Sequence, residues 1–153
     1  MKLAAAHARG LLPATERELR CLEQVRVFLK SCGEIPMPTE HVLHGGMYVR
    51  TIHMKPGDVV LGSLIKLATI VILNGCASVL TGEQESKYQG YNVIPGSAGR
   101  QSLFIAHNDV DLTMIFPTLA QTVEQAEEQV FAQYDLLVSR RDGNENTVII
   151  TGE

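Results

Sequence analysis

The feature that most constrains this chain is a train of short β-rich runs between Met47 and Phe116, set off by turn chemistry at close intervals. The runs are Met47 to Met54, Val59 to Leu73 with a break near Gly62, Cys76 to Leu80, Ser86 to Gln89, Tyr91 to Ile94, Gln101 to His107, and Val110 to Phe116. Between them stand KPGD, NG, TGEQ, PGSAG and ND, whose Gly, Pro, Asn and Asp residues favour turns. No helical pattern interrupts the series, so parallel βαβ units are disfavoured and an antiparallel sandwich or barrel is expected.

Helices flank this region. Thr15 and Glu18 have capping-box spacing and Gly33 supplies a permissive residue past the last turn, which predicts a helix from about Glu16 to Cys32. Its stripe of Leu19, Leu22, Val25, Phe28 and Leu29 must be buried, on the domain or on a dimer mate. The following GEIPMPTEHVLHGG reads as an extended connector because of its prolines and paired glycines. A second helix is expected from Thr122, which is spaced to cap with Gln125, and its buried stripe would be Val123, Ala126, Val130, Tyr134 and Leu137. Thr147 to Ile150 has strand propensity, and the tail either adds an edge strand or is disordered. One domain results: a flexible N-terminus over 1–13, a helix over 14–33, a barrel over 40–118, a C-terminal helix over 119–141 and a tail over 142–153.

Composition narrows the partners. The 153 residues are 45% hydrophobic and 20% charged, with a formal net charge of -4 and no long apolar run, so neither a membrane span nor a nucleic-acid partner is expected. Cys21, Cys32 and Cys76 have no metal spacing and read as reduced core cysteines, which fits a cytoplasmic setting. The opening MKLAAAHARGLLPA is broken by His7, Arg9 and Gly10 where a signal peptide needs an apolar core, and it reads as a frayed terminus.

The run PGD, a long apolar strand, LNG with a following hairpin, and GYNVIPGSAGR before two more strands resembles the cupin superfamily, small antiparallel barrels of jelly-roll type. The match spans Met47 to Phe116. HGGMY and AGR are in addition similar to stretches of small cupin-like proteins encoded in bacteriophage genomes, which have no assigned reaction. The first cupin motif has a Gly, five residues, HxH, three or four residues, a Glu, six residues and a Gly. Counting forward from Gly57 puts its histidines at Ser63 and Ile65 and its Glu at Thr69 or Ile70. Counting back from Gly75 puts the Glu at Ala68 and the histidines at Gly62 and Leu64. The second motif's histidine, counted from Pro95, falls on Arg100. A catalytic iron, manganese or zinc ion needs about three imidazole or carboxylate ligands, and neither register supplies one. The expectation is a barrel with no metal and no cofactor.

The residues that could still carry chemistry are few. Tyr48, Arg50, Lys66 and Arg100 would make a modest anion-binding pocket if they met at the barrel mouth, or their long side chains would reach solvent from strand ends. His44, His53 and His107 are candidate bases if one finds an acid partner in a cavity, with a turn histidine as the plainer account of His44. Asp109 and Asp111 read as solvated strand-end carboxylates. GxGxxG, the phosphate loop GxxxxGK and the GxSxG elbow are all missing. The reading that follows is a non-enzymatic, metal-free, cupin-like homodimer that holds a small anionic ligand or a protein partner, with a phage origin implied by the second resemblance. Alternatives are a metal-independent isomerase or epimerase with a His base and a structural subunit of a larger assembly.

Overall fold

The computed structural model describes residues 10–81 and 83–153. The chain is mainly β, a curled mixed sheet with one helix before it and one after β7 in the chain. Helix α1 (Glu16–Ser31) is followed by β1 (Thr39–His44), β2 (Met47–Met54), β3 (Val59–Leu61), β4 (Thr69–Thr81), β5 (Gln84–Gly96), β6 (Leu103–Ala106) and β7 (Val110–Pro117). Helix α2 (Val123–Val130), two 3-10 turns and strand β8 (Asn146–Ile150) complete the order. The strands lie in the sequence β3-β6-β4-β7-β2-β1-β8, with β5 on β4, and every pair is antiparallel except β1 with β8.

Strand β4 organises the sheet. Its first half pairs with β7 from Ile70 to Asn74, its second half pairs with β6 from Ala77 to Leu80, and β5 runs beside it throughout. The change of partner falls around Gly75, where φ is +137° and a β-carbon would stand 2.5 Å from the Asp109 carbonyl oxygen. The NG at Asn74 and Gly75 is thus a bend inside one long strand and not the turn expected between two, because only glycine lets the next turn approach so closely. Similarly, the runs expected on either side of Gly90 form one strand, β5.

Other differences from expectation have local causes. The connector contains strand β1, which forms a hairpin with β2 through Gly45 and Gly46, both at positive φ as a two-residue turn requires. Helix α1 has the expected capping box, but it buries Leu22 alone; Phe28 and Val27 are each 65% exposed. Helix α2 stops at Val130, because Phe131 is extended and bridges Ile65, while Lys66 N donates to Val130 O and Ala132 N to Leu64 O. Tyr134 and Leu137 belong to the 3-10 region beyond it. The tail supplies β8 as an edge strand. All three cysteines are free, but Cys21 and Cys32 are exposed and so are not core residues. The flexible N-terminus expected over 1–13 lies mostly outside the described residues. Among the described residues no helix is long and apolar enough to cross a membrane.

Two apolar clusters fill the inner side. One joins Met54, Val71, Leu73, Val79, Phe104 and Val110 within the curl of the sheet, and the other packs Val123, Ala126 and Val130 of α2 on Leu43, Tyr48 and Phe116. Helix α2 therefore covers one end of the concave face and leaves the other end open.

Candidate functional site

The open end holds a cavity of about 570 Å³, within the range of roughly 300–1,000 Å³ usual for small-molecule sites. Strand alternation decides its lining. Arg50 and Ile52 of β2, Leu112 and Met114 of β7, and Val71 of β4 project inwards, so the wall is largely apolar. Arg100, Ser102 and Phe104 are two residues apart along one extended segment and line the same cavity. The opposing segment is held by Gly62 N donating to Ser102 O and Ile65 N donating to Arg100 O. Helix α1, the segment after it and the 3-10 turns form the mouth.

Two guanidinium groups enter this wall in different electrostatic states. Arg50 is satisfied: Nη1 donates to Glu127 Oε1 at 2.7 Å, Nη2 donates to Ser139 Oγ at 3.0 Å, and the group lies 5.3 Å from the Phe131 ring centroid. Glu127, 2% exposed, also accepts from Arg140 Nε at 2.7 Å. Arg100 is 3% exposed yet has only neutral acceptors, Thr69 Oγ1 at 2.6 Å and Ser97 O at 3.0 Å. No described carboxylate pairs with it, and burial alone pulls its pKa down to about 10. Beside it, Ser102 Oγ is buried without a hydrogen-bond partner. An unneutralised cation and an orphaned hydroxyl thus share one wall of an apolar cavity.

Of the positions where the cupin pattern would place metal ligands, Gly62, Ser63, Ile65 and Arg100 line this cavity. In the forward register the positions are Ser63 and Ile65, both buried, and either Thr69, buried, or Ile70, 42% exposed, with Arg100 at the second-motif position. Ser63 Oγ accepts from Gln133 N, Ile65 has no donor atom, and Thr69 Oγ1 accepts from Arg100. A guanidinium has no lone pair to offer and repels a cation, so these residues do not fit a metal ion. Among the described residues no group of three His, Cys, Asp or Glu side chains is placed to hold one.

The remaining sequence candidates scatter. Tyr48 is fully buried under α2, with its hydroxyl 2.7 Å from His41 Nδ1 and its ring edge-on to Phe116; burial raises its pKa to about 12. Lys66 is exposed and donates to Glu128 O at 2.7 Å, outside the cavity. Tyr48 is thus close enough to Arg50 to interact with it, but neither Tyr48 nor Lys66 lines the cavity with Arg50 and Arg100. His44 is exposed on the β1–β2 hairpin with Nδ1 2.7 Å from Thr151 Oγ1, and exposed His107 sits 2.8 Å from Ser78 Oγ. His53 lies between Asp111 at 2.6 Å and Glu40 at 3.3 Å. Burial lowers its pKa, but the two carboxylates outweigh that and the net shift is upwards. None of the three histidines lines the cavity. Ser102 had no signal in the sequence: a serine in a strand becomes informative only when its neighbours fail to bond it.

No family model matches the sequence, and no curated protein matches it. Solved structures do resemble the fold. KdgF from a Halomonas species is similar over 57% of this chain and 85% of its own, at 12% identity and a TM-score of 0.47. A cupin-2 domain protein from Rhodospirillum rubrum is similar over 57% of this chain and 66% of its own, at 13% identity and a TM-score of 0.47. An RmlC-like cupin with a double-stranded β-helix fold from Methanocaldococcus jannaschii is similar over 56% and 84%, at 11% identity and a TM-score of 0.45.

Proposed function

We propose that this protein is a non-enzymatic binding protein that holds a small amphipathic anion in the cavity. The anionic head sits on Arg100 and Ser102, and the apolar body lies against Ile52, Val71, Phe104, Leu112 and Met114. The observation that carries this reading is the buried Arg100 guanidinium without a carboxylate, in the same wall as the unpartnered Ser102 hydroxyl. A carboxylate would neutralise the first and accept from the second, offsetting the burial cost of both. Arg50 lends field without being free to bind, since Glu127 and Ser139 already occupy it. The absence of a histidine from the lining favours binding over proton transfer by a His base. Free, exposed Cys21 and Cys32 suit a reducing compartment and support a cytoplasmic setting. A phage-encoded origin has the HGGMY and AGR stretches in its favour.

The test is calorimetric titration with octanoate, octan-1-ol and octylamine. Octanoate is expected to bind one per chain and the amine not at all. Arg100→Met should weaken octanoate by about 10- to 150-fold, the worth of a charged hydrogen bond of about 1.5–3 kcal/mol, and leave the alcohol unchanged. Equal binding of octanoate to both proteins would sink the proposal.

A further inference from the structure

The apolar lining of the cavity does not end inside the curl of the sheet. It continues to the mouth over Leu29 and Ile35 on the side of α1, and over Leu136, Leu137 and Val138 in the 3-10 region. Ile35 is 43% exposed and Leu136 41%, so two large aliphatic side chains stand in water at the rim. Helix α1 gives the length of this track. Just before the helix, Ala14 N donates to Gly99 O, next to Arg100, and its last turn reaches the mouth. At a rise of about 1.5 Å per residue, Leu29 lies roughly 20 Å along the axis from Glu16.

We infer, on the anion reading above, that the ligand is a long-chain aliphatic carboxylate of roughly fourteen to eighteen carbons, its head on Arg100 and Ser102 and its tail along the track to Ile35 and Leu136. Length and volume agree on its size. Eight carbons joined by bonds of about 1.5 Å reach at most about 10 Å, so an octanoate tail ends well short of the rim. At about 30 Å³ for a water-sized group, the 570 Å³ cavity has room for roughly nineteen groups, or a carboxylate of about seventeen carbons. Direction follows from charge. The cations at the rim have partners or water: Arg26 donates to Glu23 and Gln133, Arg141 pairs with Glu34, and Lys30 is exposed. Arg100 and Ser102 are the groups whose burial a carboxylate offsets, and the aliphatic rim side chains are the ones a tail covers.

Calorimetric titration with unbranched carboxylates from octanoate to octadecanoate, each below its micelle concentration and the tightest in competition with octanoate, tests this. Each added methylene is expected to strengthen binding about two- to fourfold up to some fourteen to sixteen carbons and not beyond, since full burial of one gives about fourfold. Ile35→Asp and Leu136→Asp, at exposed rim positions where folding is least at risk, should each weaken hexadecanoate about tenfold more than octanoate, with unchanged circular dichroism. Octanoate bound through Arg100 with no gain for longer chains, or hexadecanoate indifferent to both aspartates, would overturn the chain length and leave the anion reading standing. No binding at any length, or hexadecanoate weakened by Lys30→Met and not by Arg100→Met, would overturn the anion reading and the chain length with it.

Discussion

On the proposed reading Arg100 sets the chemistry of the cavity, and its burial also weakens the fold. Lowering a guanidinium from 12.5 to about 10 corresponds to a cost on the order of 3 kcal/mol for keeping it charged at neutral pH. Replacing such a group with an apolar side chain of similar length is often neutral or stabilising, so Arg100→Met should unfold at a temperature no lower than wild type while losing octanoate. Thermal unfolding without ligand checks this, and a large loss of stability would mean that the bonds to Thr69 and Ser97 outweigh the burial. His53 gives a pH signature of the opposite kind. Its folded pKa is raised above 6.5, so its contribution is fully present below that pH and fades as pH rises through the folded value. His53→Gln should therefore be less stable than wild type near about pH 5.5 and nearly equal to it in mild alkali, by denaturant midpoints. His41, buried and lowered by desolvation, pulls the wild-type profile the other way, which is why the difference between variant and wild type is the quantity to measure. Arg100 was legible because motif counting landed on it. Tyr48 was misleading for a physical reason: it shares the inner face with Arg50 two residues away, but α2 divides that face, and strand alternation carries no record of where a helix ends.

At the scale of elements, β4 and α2 determine where the cavity opens. Most of the strand train from β2 onward, the turns other than NG, and both helix starts were readable from side-chain pattern, whereas β1 was read as a connector. The partner change of β4 was not, since it depends on a contact between Gly75 and the turn before β7, thirty-odd residues away in the chain. Gly75→Ala should cost at least about 2 kcal/mol from the positive φ and the 2.5 Å approach to Asp109 O, whereas Gly90→Ala, with nothing within 4 Å, meets only the φ term. Comparing the two by chemical unfolding separates clash from conformation. Helix α2 is tied to the sheet by Glu127, the shared acceptor for Arg50 and Arg140. Glu127→Gln leaves two cations facing each other beside a buried amide and should destabilise by about 3–5 kcal/mol. Adding Arg50→Met should recover part of that loss, and failure to recover any would show that the pair is not coupled. The end of α2 was out of reach from the sequence because backbone bonds to Leu64 and Lys66, not a breaker residue, stop the helix.

For the whole molecule, the curled sheet places the Arg100 guanidinium in the wall of the cavity, where the proposed anion would sit. The curl itself rests on turns and apolar alternation, not on the occupant of the cavity. The most direct measurement is an experimental structure of protein purified without chelator and soaked with octanoate. The account predicts a carboxylate within about 3 Å of an Arg100 Nη atom and of Ser102 Oγ, with the alkyl chain along Val71, Phe104 and Met114. A transition metal bound through side chains in the barrel, or octanoate seated away from Arg100, would contradict it.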